Sequence, residues 1–497
     1  MRIPMPGLPR FLARREAAPS PLVRALQAAL GERNVLHAAE DLIGFEYDAT
    51  IERRRPDAVV FPATTEDVAA AVRIANAYAV PIVPRGSGTG LAGGAVPILG
   101  GVVIVLTRMN RIIEIDPRDR IATLQPGVIN LALQDACAKH GLLYAPDPSS
   151  QRICTIGGNV ASNSGGPHTL AHGSTVNHVL GVEVVLPDGR VTWLGGRQLD
   201  APGIDLRGVF VGSEGTLGIV TQVCVRLQRM PEAIRTMLAI FETVDAASEA
   251  VSAIIGNGVI PVALEMLDQV IMRAVEPRLH VGYPLDAGAV LLIEVEGLRE
   301  QVEQDAQRVI TACREGGARE VRTAESDAER ERLWEGRKGG IGAIGAISPN
   351  FYILDGVVPR TRLPEVMREV LRLSDAAGFK CGNIFHAGDG NLHPNIMFDE
   401  LVPGAVAAVL DLGGAIMRVC VDAGGSITGE HGIGLEKRSY MEWIFSPADL
   451  DAMQHVRTAF GTGDRFNPCK VLPTGRGCGH AHAAELLRHL DTPGVYL

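Results

Sequence analysis

The chain has 497 residues, 46% of them hydrophobic, which is length and core material for two to four folded domains. Its 57 glycines are about 11% of the chain against a usual ~7%, lack a Gly-X-Y period and sit among Val, Ile and Leu. That excludes a fibre and a disordered linker and points to backbone that turns tightly or lies against a ligand. The formal charge is −10 with no basic tract interleaved by aromatics, which argues against nucleic acid as a partner.

Residues 1–20, rich in arginine and proline, lack the apolar stretch of a signal peptide and are expected to form a flexible N-terminal arm. Leu22, Val23, Leu26 and Leu30 share a helical face, so a helix is expected over 21–31. Ala58 to Phe61 reads as a strand stopped by Pro62. Residues 64–79 read as a helix, with Thr64 or Thr65 as cap and Glu66 and Asp67 in the first turn. Ile82-Val83-Pro84 is extended and runs into a glycine loop; strands follow at 102–106, 111–115 and 121–124, then a helix at 129–140. Residues 153–175 show no periodicity. Strands return at 179–186 and 191–194 around a Pro-Asp-Gly turn, and again at 219–227. Near Met230-Pro231 the texture changes to helices alternating with strands, the clearest helices being 302–313, 364–376 and 404–423. The expected organisation is an arm over 1–20, domains over 21–230 and 231–475, and a tail over 476–497. No 18-residue apolar run occurs, so no membrane span is expected.

Four donor-rich loops stand out in the first domain. The first, Pro84-Arg85-Gly86-Ser87-Gly88-Thr89-Gly90-Leu91-Ala92-Gly93-Gly94, contains a formal G-x-G-x-x-G. The dinucleotide-fold reading of that string needs a helix directly after it. Here Pro97 and the strand-like Gly101-Val102-Val103-Ile104 follow, so the expectation is a nest of backbone N–H groups suited to a diphosphate. The others are Pro146-Asp147-Pro148-Ser149-Ser150, Ile156-Gly157-Gly158-Asn159-Val160-Ala161-Ser162-Asn163-Ser164-Gly165-Gly166 and Gly212-Ser213-Glu214-Gly215-Thr216-Leu217-Gly218-Ile219. Together they suit a ligand as long as FAD.

The second domain carries an acid–base constellation. Asp389-Gly390 is a hairpin signal. With that pair as the turn, His386 faces His393 with Cβ atoms ~4.5–5.5 Å apart, either half of a divalent-metal site or two hydrogen-bonded strand histidines. Glu430-His431, between Gly429 and Gly432, favours the metal: Glu430 is the third candidate ligand, leaving open positions for a substrate. The eight cysteines form no C-x-x-C, which argues against an iron–sulfur cluster and suits reduced core thiols of a cytoplasmic protein.

The loop order resembles the FAD-binding domain of the vanillyl-alcohol oxidase type, also called PCMH-type. Tyr144-Ala145-Pro146-Asp147-Pro148-Ser149-Ser150-Gln151, Phe385-His386-Ala387-Gly388-Asp389-Gly390-Asn391 and Gly425-Ser426-Ile427-Thr428-Gly429-Glu430-His431-Gly432-Ile433-Gly434 resemble the flavin subunits of bacterial glycolate oxidases, and the likeness runs from about residue 20 to 475. It implies an α+β chain: a two-subdomain FAD-binding domain, a substrate (cap) domain with an antiparallel sheet, and a C-terminal helical segment returning to the flavin. It implies that residues 84–91, 147–150, 157–166 and 213–219 hold FAD, non-covalently because the first loop has no histidine, and that Asn467 in Arg465-Phe466-Asn467-Pro468 touches it. In related 2-hydroxyglutarate-type dehydrogenases the residues matching His386, His393 and Glu430 bind zinc, and His431 matches the base. Arg337, in Trp334-Glu335-Gly336-Arg337-Lys338, falls where the family places the arginine for the substrate carboxylate; Arg360 and Lys437 rank behind it. Asn395 is a candidate to hydrogen-bond the substrate. The small apolar stretch Gly339 to Gly345 suits glycolate or D-lactate better than a dicarboxylate. The resemblance further implies a second flavin-type subunit and an iron–sulfur subunit as partners, and a place in the cytoplasm or peripheral at the inner membrane face through them. The expected reaction is FAD-dependent oxidation of glycolate to glyoxylate. The alternatives are D-lactate or D-2-hydroxyglutarate oxidation, a metal-dependent hydrolase, and a non-catalytic subunit that retains flavin.

Overall fold

The computed structural model describes residues 18–199, 202–461 and 465–473. Of the expected arm only residues 18–20 are described, and the tail over 476–497 lies outside the described residues. Ser20 Oγ accepts the N–H of Val23, and Pro21 opens the helix Pro21–Leu30, where a missing N–H costs nothing. Thr64 and Asp67 form a reciprocal capping box that starts the helix Thr65–Ala77. Both helices pack Leu22, Leu26, Val68 and Val72 onto a four-stranded sheet ordered Val35–Leu36, Ala58–Val60, Val102–Val105, Ile82–Arg85. Its last three strands are parallel, and the first glycine loop runs into the strand Val102–Val105 rather than a helix. A five-stranded antiparallel sheet, ordered Ile112–Asp116, Ile121–Leu124, Ile219–Arg226, Val179–Val185, Val191–Gly195, completes the first half.

From Ala233 on, the chain builds a nine-stranded antiparallel sheet covered by helices on both faces, so the molecule is α+β. Its strand Ala289–Gly297 shows why the run Val290-Leu291-Leu292-Ile293 is apolar throughout. Leu291 and Ile293 pack with the helices Val244–Gly256, Arg299–Glu315, Leu363–Ala376 and Ala405–Asp422. Val290 and Leu292 pack with Gln269–Leu279 and Asp327–Ile344 on the other face.

Three expectations are corrected. Within the irregular 153–175 stretch lies a helix, Ile156–Ser162, capped by Thr155 Oγ1 on the Gly158 N–H and closed by Asn163 at φ 53°. Its Gly-Gly-Asn composition hides it, because caps rather than propensity make it. Asp389-Gly390 does not form a two-residue turn. Residues 387–390 are the loop, His386 pairs with Asn391 and Asn383 with Pro394. Val358 donates its N–H to the Gly390 carbonyl, so the segment after the strand Gly356–Val357 pairs with the loop. The register moves by two residues, which keeps every side chain on its face. His386 and His393 are therefore diagonal neighbours, ring centroids 5.2 Å apart. Finally, six cysteines are free and buried, but Cys469 is disulfide-bonded, so the expectation of a wholly reduced set fails there. Among the described residues no helix is long and apolar enough to cross a membrane.

Candidate active site

A cavity of about 670 Å³ is lined by residues 84–91, 148–150, 157–159, 161–162, 213–215 and 218–219. These loops meet through glycines: a Cβ on Gly86 would lie 2.4 Å from Thr155 Oγ1, and one on Gly215 2.3 Å from Pro84 Cγ. The N–H groups of Ser87 through Leu91 have no acceptor among the described residues, while Ser87 Oγ donates to the Ile153 carbonyl. A row of free donors on the cavity wall fits a diphosphate-bearing ligand such as FAD.

Several residues of the four loops, and Asn467, lie off this cavity. Ile156 is core, packed among Leu133 and Val160. Asn163 spends its side-chain oxygen on the Val176 N–H and the Ser174 hydroxyl. A Cβ on Gly165 would come within 3.0 Å of Glu430 Oε2, so this glycine makes room for the acidic side chain. Gly166, at φ 143°, lies against the Asp147 carbonyl. Asn467, 1% exposed, donates to the carbonyls of Gly94 and Glu214 and accepts from Lys470, so it ties two cavity loops together from behind. Two cavity residues are also committed elsewhere. Arg85 donates to the Tyr47 carbonyl beside the Phe45 ring. The Glu214 carboxylate accepts the N–H groups of Ile433 (2.6 Å) and Gly434 (2.7 Å), fastening the FAD-binding half to the loop that carries Glu430 and His431.

The structure brings His386, His393 and Glu430 together, their ligand atoms within 4.8 Å of one another. Glu430 Oε1 lies 3.1 Å from His386 Nε2 and 3.2 Å from His393 Nε2. Each imidazole is fixed by its other nitrogen: His386 Nδ1 lies 2.9 Å from Glu265, and His393 Nδ1 3.1 Å from the Leu354 carbonyl. Two Nε2 atoms converging on one carboxylate, each with its Nδ1 held by an acceptor, fit a divalent cation. Burial disfavours charge on His386, yet Glu265 and Glu430 raise its pKa well above the ordinary range.

His431 stacks on His393, centroids 4.9 Å apart and planes within 10°. Burial pushes its pKa down to about 4, so the imidazole is neutral at neutral pH and able to accept a proton. Asp355, which no sequence motif marks, organises this loop. Its Oδ1 accepts the N–H groups of Gly429 and Glu430, and its Oδ2 accepts the His431 N–H, the Thr428 hydroxyl and Lys437 Nζ at 2.8 Å. Burial acts to raise the Asp355 carboxyl, but His431, Lys437 and His393 outweigh it and hold it below its usual range. Lys437 is thereby sealed under the loop, and Arg360 donates to the Gly388 carbonyl away from the cavity.

Arg337 does line the cavity, but its fork is already engaged. Nε and Nη2 bind the buried Glu265, and no bond of Nη1 is formed among the described residues. Asn395 does not line the cavity: its amide N–H groups go to the carbonyls of Gly382 and His393, and its buried Oδ1 has no partner among the described residues. Of the 339–345 stretch only Ile341 reaches the cavity. Gly339 presses against Leu279 of the helix Gln269–Leu279 and Gly340 against Ile384 of the sheet, so these small residues chiefly serve packing of their helix. Lys338, next to Arg337, also lines the cavity and was not singled out; its ammonium lies 5.6 Å from the Trp334 ring and 3.9 Å from Asp147.

Residues 56–195 match the FAD binding domain family, and residues 230–471 match the family described as FAD linked oxidases, C-terminal domain. Over 471 residues, 94% of both chains, the protein is 45% identical to glycolate oxidase subunit GlcD of Escherichia coli strain K12. The chain belongs to the FAD-linked oxidases. This oxidase is also 32% identical, over 89% of its length and 95% of the relative's, to a D-lactate dehydrogenase of Anaerostipes hadrus. Its fold is that of 4-ethylphenol oxidase from Gulosibacter chungangensis, with TM-score 0.74 at 19% identity over 91% of this chain and 97% of that one.

Proposed function

We propose that this FAD-linked oxidase converts a small 2-hydroxy acid, glycolate, to its 2-oxo product, glyoxylate. The observation that carries the reading is the meeting of the FAD-binding loops with His393, Glu430 and His431 in one cavity, with His386 directly behind Glu430. Bound without a covalent tether, FAD would supply a hydride acceptor, and a divalent metal of the zinc type would supply a Lewis acid. His386 and His393, through Nε2, and Glu430, through its carboxylate, are the residues that hold the metal. His431 takes the hydroxyl proton at Nε2 while its Nδ1 faces Asp355, 3.9 Å away. Arg337 Nη1 and Lys338 Nζ pair with the substrate carboxylate. The glycolate assignment is supported by the likeness to glycolate oxidase subunits and by Ile341 on the cavity wall; the likeness to a D-lactate dehydrogenase makes D-lactate the second reading.

Electrons then leave through partner subunits, a second flavin-type chain and an iron–sulfur chain, because no C-x-x-C occurs in this one. Such an assembly would place the protein at the inner face of a membrane without a span of its own. Steady-state oxidation of glycolate, D-lactate, L-lactate and D-2-hydroxyglutarate with an artificial acceptor tests the substrate. Glycolate is expected to give the highest kcat/KM; turnover of none of the four refutes the reading. Full-rate quinone reduction by the purified chain alone would dismiss the partners.

A further inference from the structure

Glu265 takes no part in the reaction above, yet it is a carboxylate with no exposure at all, in the strand Ala263–Asp268. Such a group is tolerated only where charged or donor partners replace water. His386 stands directly opposite it on the adjacent strand Lys380–His386, and both carboxylate oxygens lie 2.9 Å from His386 Nδ1. The helix Asp327–Ile344 lays Arg337 over the same face, where Nε donates to Glu265 Oε2 at 2.7 Å. Arg337 Nη2 also comes within 3.5 Å of His386 Nδ1. An arginine cannot accept a hydrogen bond, so the acceptor for Nδ1–H is Glu265, and that bond selects the tautomer whose Nε2 is free to face Glu430.

We infer that Glu265 is a positioning residue for both groups that grip the substrate. It aims His386 Nε2 at the metal position, and it holds Arg337 by Nε and Nη2 so that Nη1 is left for the substrate carboxylate. The inference rests on the reading of His386, His393 and Glu430 as metal ligands. It makes the metal site and the substrate cation two ends of one buried bridge, Arg337–Glu265–His386, although Arg337 and His386 lie on separate elements.

The test uses the full-length holoprotein and zinc as the probe, with affinity read by competition against a chelator. Glu265→Gln should weaken zinc binding roughly 10–100-fold, the usual effect of losing a carboxylate behind a ligating histidine. Arg337→Met should leave zinc affinity unchanged. Because Glu265→Gln strands a buried guanidinium and can unfold the chain, the double variant Glu265→Gln/Arg337→Met removes both charges at once; its zinc affinity should stay low. With zinc saturating, Glu265→Gln should also raise KM for glycolate more than it lowers kcat. Zinc held by both Glu265 variants as tightly as by the wild type, while His393→Ala loses it, overturns the inference alone. An unchanged KM at saturating zinc overturns its Arg337 half. Equal zinc binding by wild type and His393→Ala defeats the metal reading, and the inference with it.

Discussion

The imidazole of His431 lies flat on that of His393, 4.9 Å between centroids, so the candidate base and a candidate metal ligand share one wall of the cavity. The stack fixes His431 without a hydrogen bond to its ring: Nδ1 is buried and unbonded. Replacing it by Asn should leave bound flavin and zinc intact and lower kcat by about 10²–10⁴-fold, the usual contribution of a positioned general base. Rates within a factor of two of wild type would remove His431 from the chemistry.

Asp355 and Lys437 are both buried and bonded to each other at 2.8 Å beneath the 428–431 loop. Asp355→Ala strands the ammonium and releases three backbone N–H groups, so unfolding by denaturant should show a loss of about 3–5 kcal/mol. A loss below ~1 kcal/mol, the scale of an exposed pair, would mean the site tolerates the stranded charge.

Two glycines tell the proposed cofactor wall from the proposed metal wall. A Cβ at Gly215, where φ is 71°, collides with Pro84, whereas one at Gly165 crowds Thr169 Oγ1 at 2.7 Å and Glu430 Oε2 at 3.0 Å. Gly215→Ala should therefore purify with depleted flavin. Gly165→Ala should keep its flavin and lose metal and turnover. Absorbance and metal analysis of the two proteins check this, and the reverse pattern would contradict the assignment of the two walls.

His168 spans the two halves of the molecule, 2.8 Å from Asp147 and 3.7 Å from Glu294, stacked on Trp334. Burial disfavours its charge, but Asp147 and Glu294 raise its pKa from 6.5 to about 10. A raised folded-state pKa gives stability that is fully present below the unfolded value near 6.5 and is lost as pH climbs through about 10. The stability difference between wild type and His168→Asn should thus be largest at pH 6 and shrink steadily towards pH 10. A difference that grows with pH would reverse the sign and refute the bridge.

The sequence exposes what depends on neighbours in the chain. Thr64 with Asp67 announced a helix start, and the strand after Gly101 ruled out the dinucleotide turn. The histidine pair at the hairpin alone left two readings open; it was Glu430-His431, an acid beside a histidine with flanking glycines, that marked the cluster, because that is a poor core motif. The register was not, since Val358, far along the chain, holds the loop at Gly390. Glu265 and Asp355 were invisible for a related reason. Glu265 lies in the strand Ala263–Asp268 and Asp355 in the short link between the strands Asn350–Ile353 and Gly356–Val357, and their partners, Arg337 and His386 or Lys437 and the 429–431 backbone, lie 72 or more residues away. Asn395 shows the other direction: proximity to His393 marks it, while the strand directs its amide N–H groups to backbone carbonyls.

The most direct test of the account is anaerobic mixing of the flavin-loaded protein with glycolate, following the visible flavin band before and after removal of metal by a chelator. The expected result is rapid bleaching, slowed strongly by the chelator and restored by zinc. Bleaching at the same rate with and without metal, or none with any 2-hydroxy acid, would contradict it.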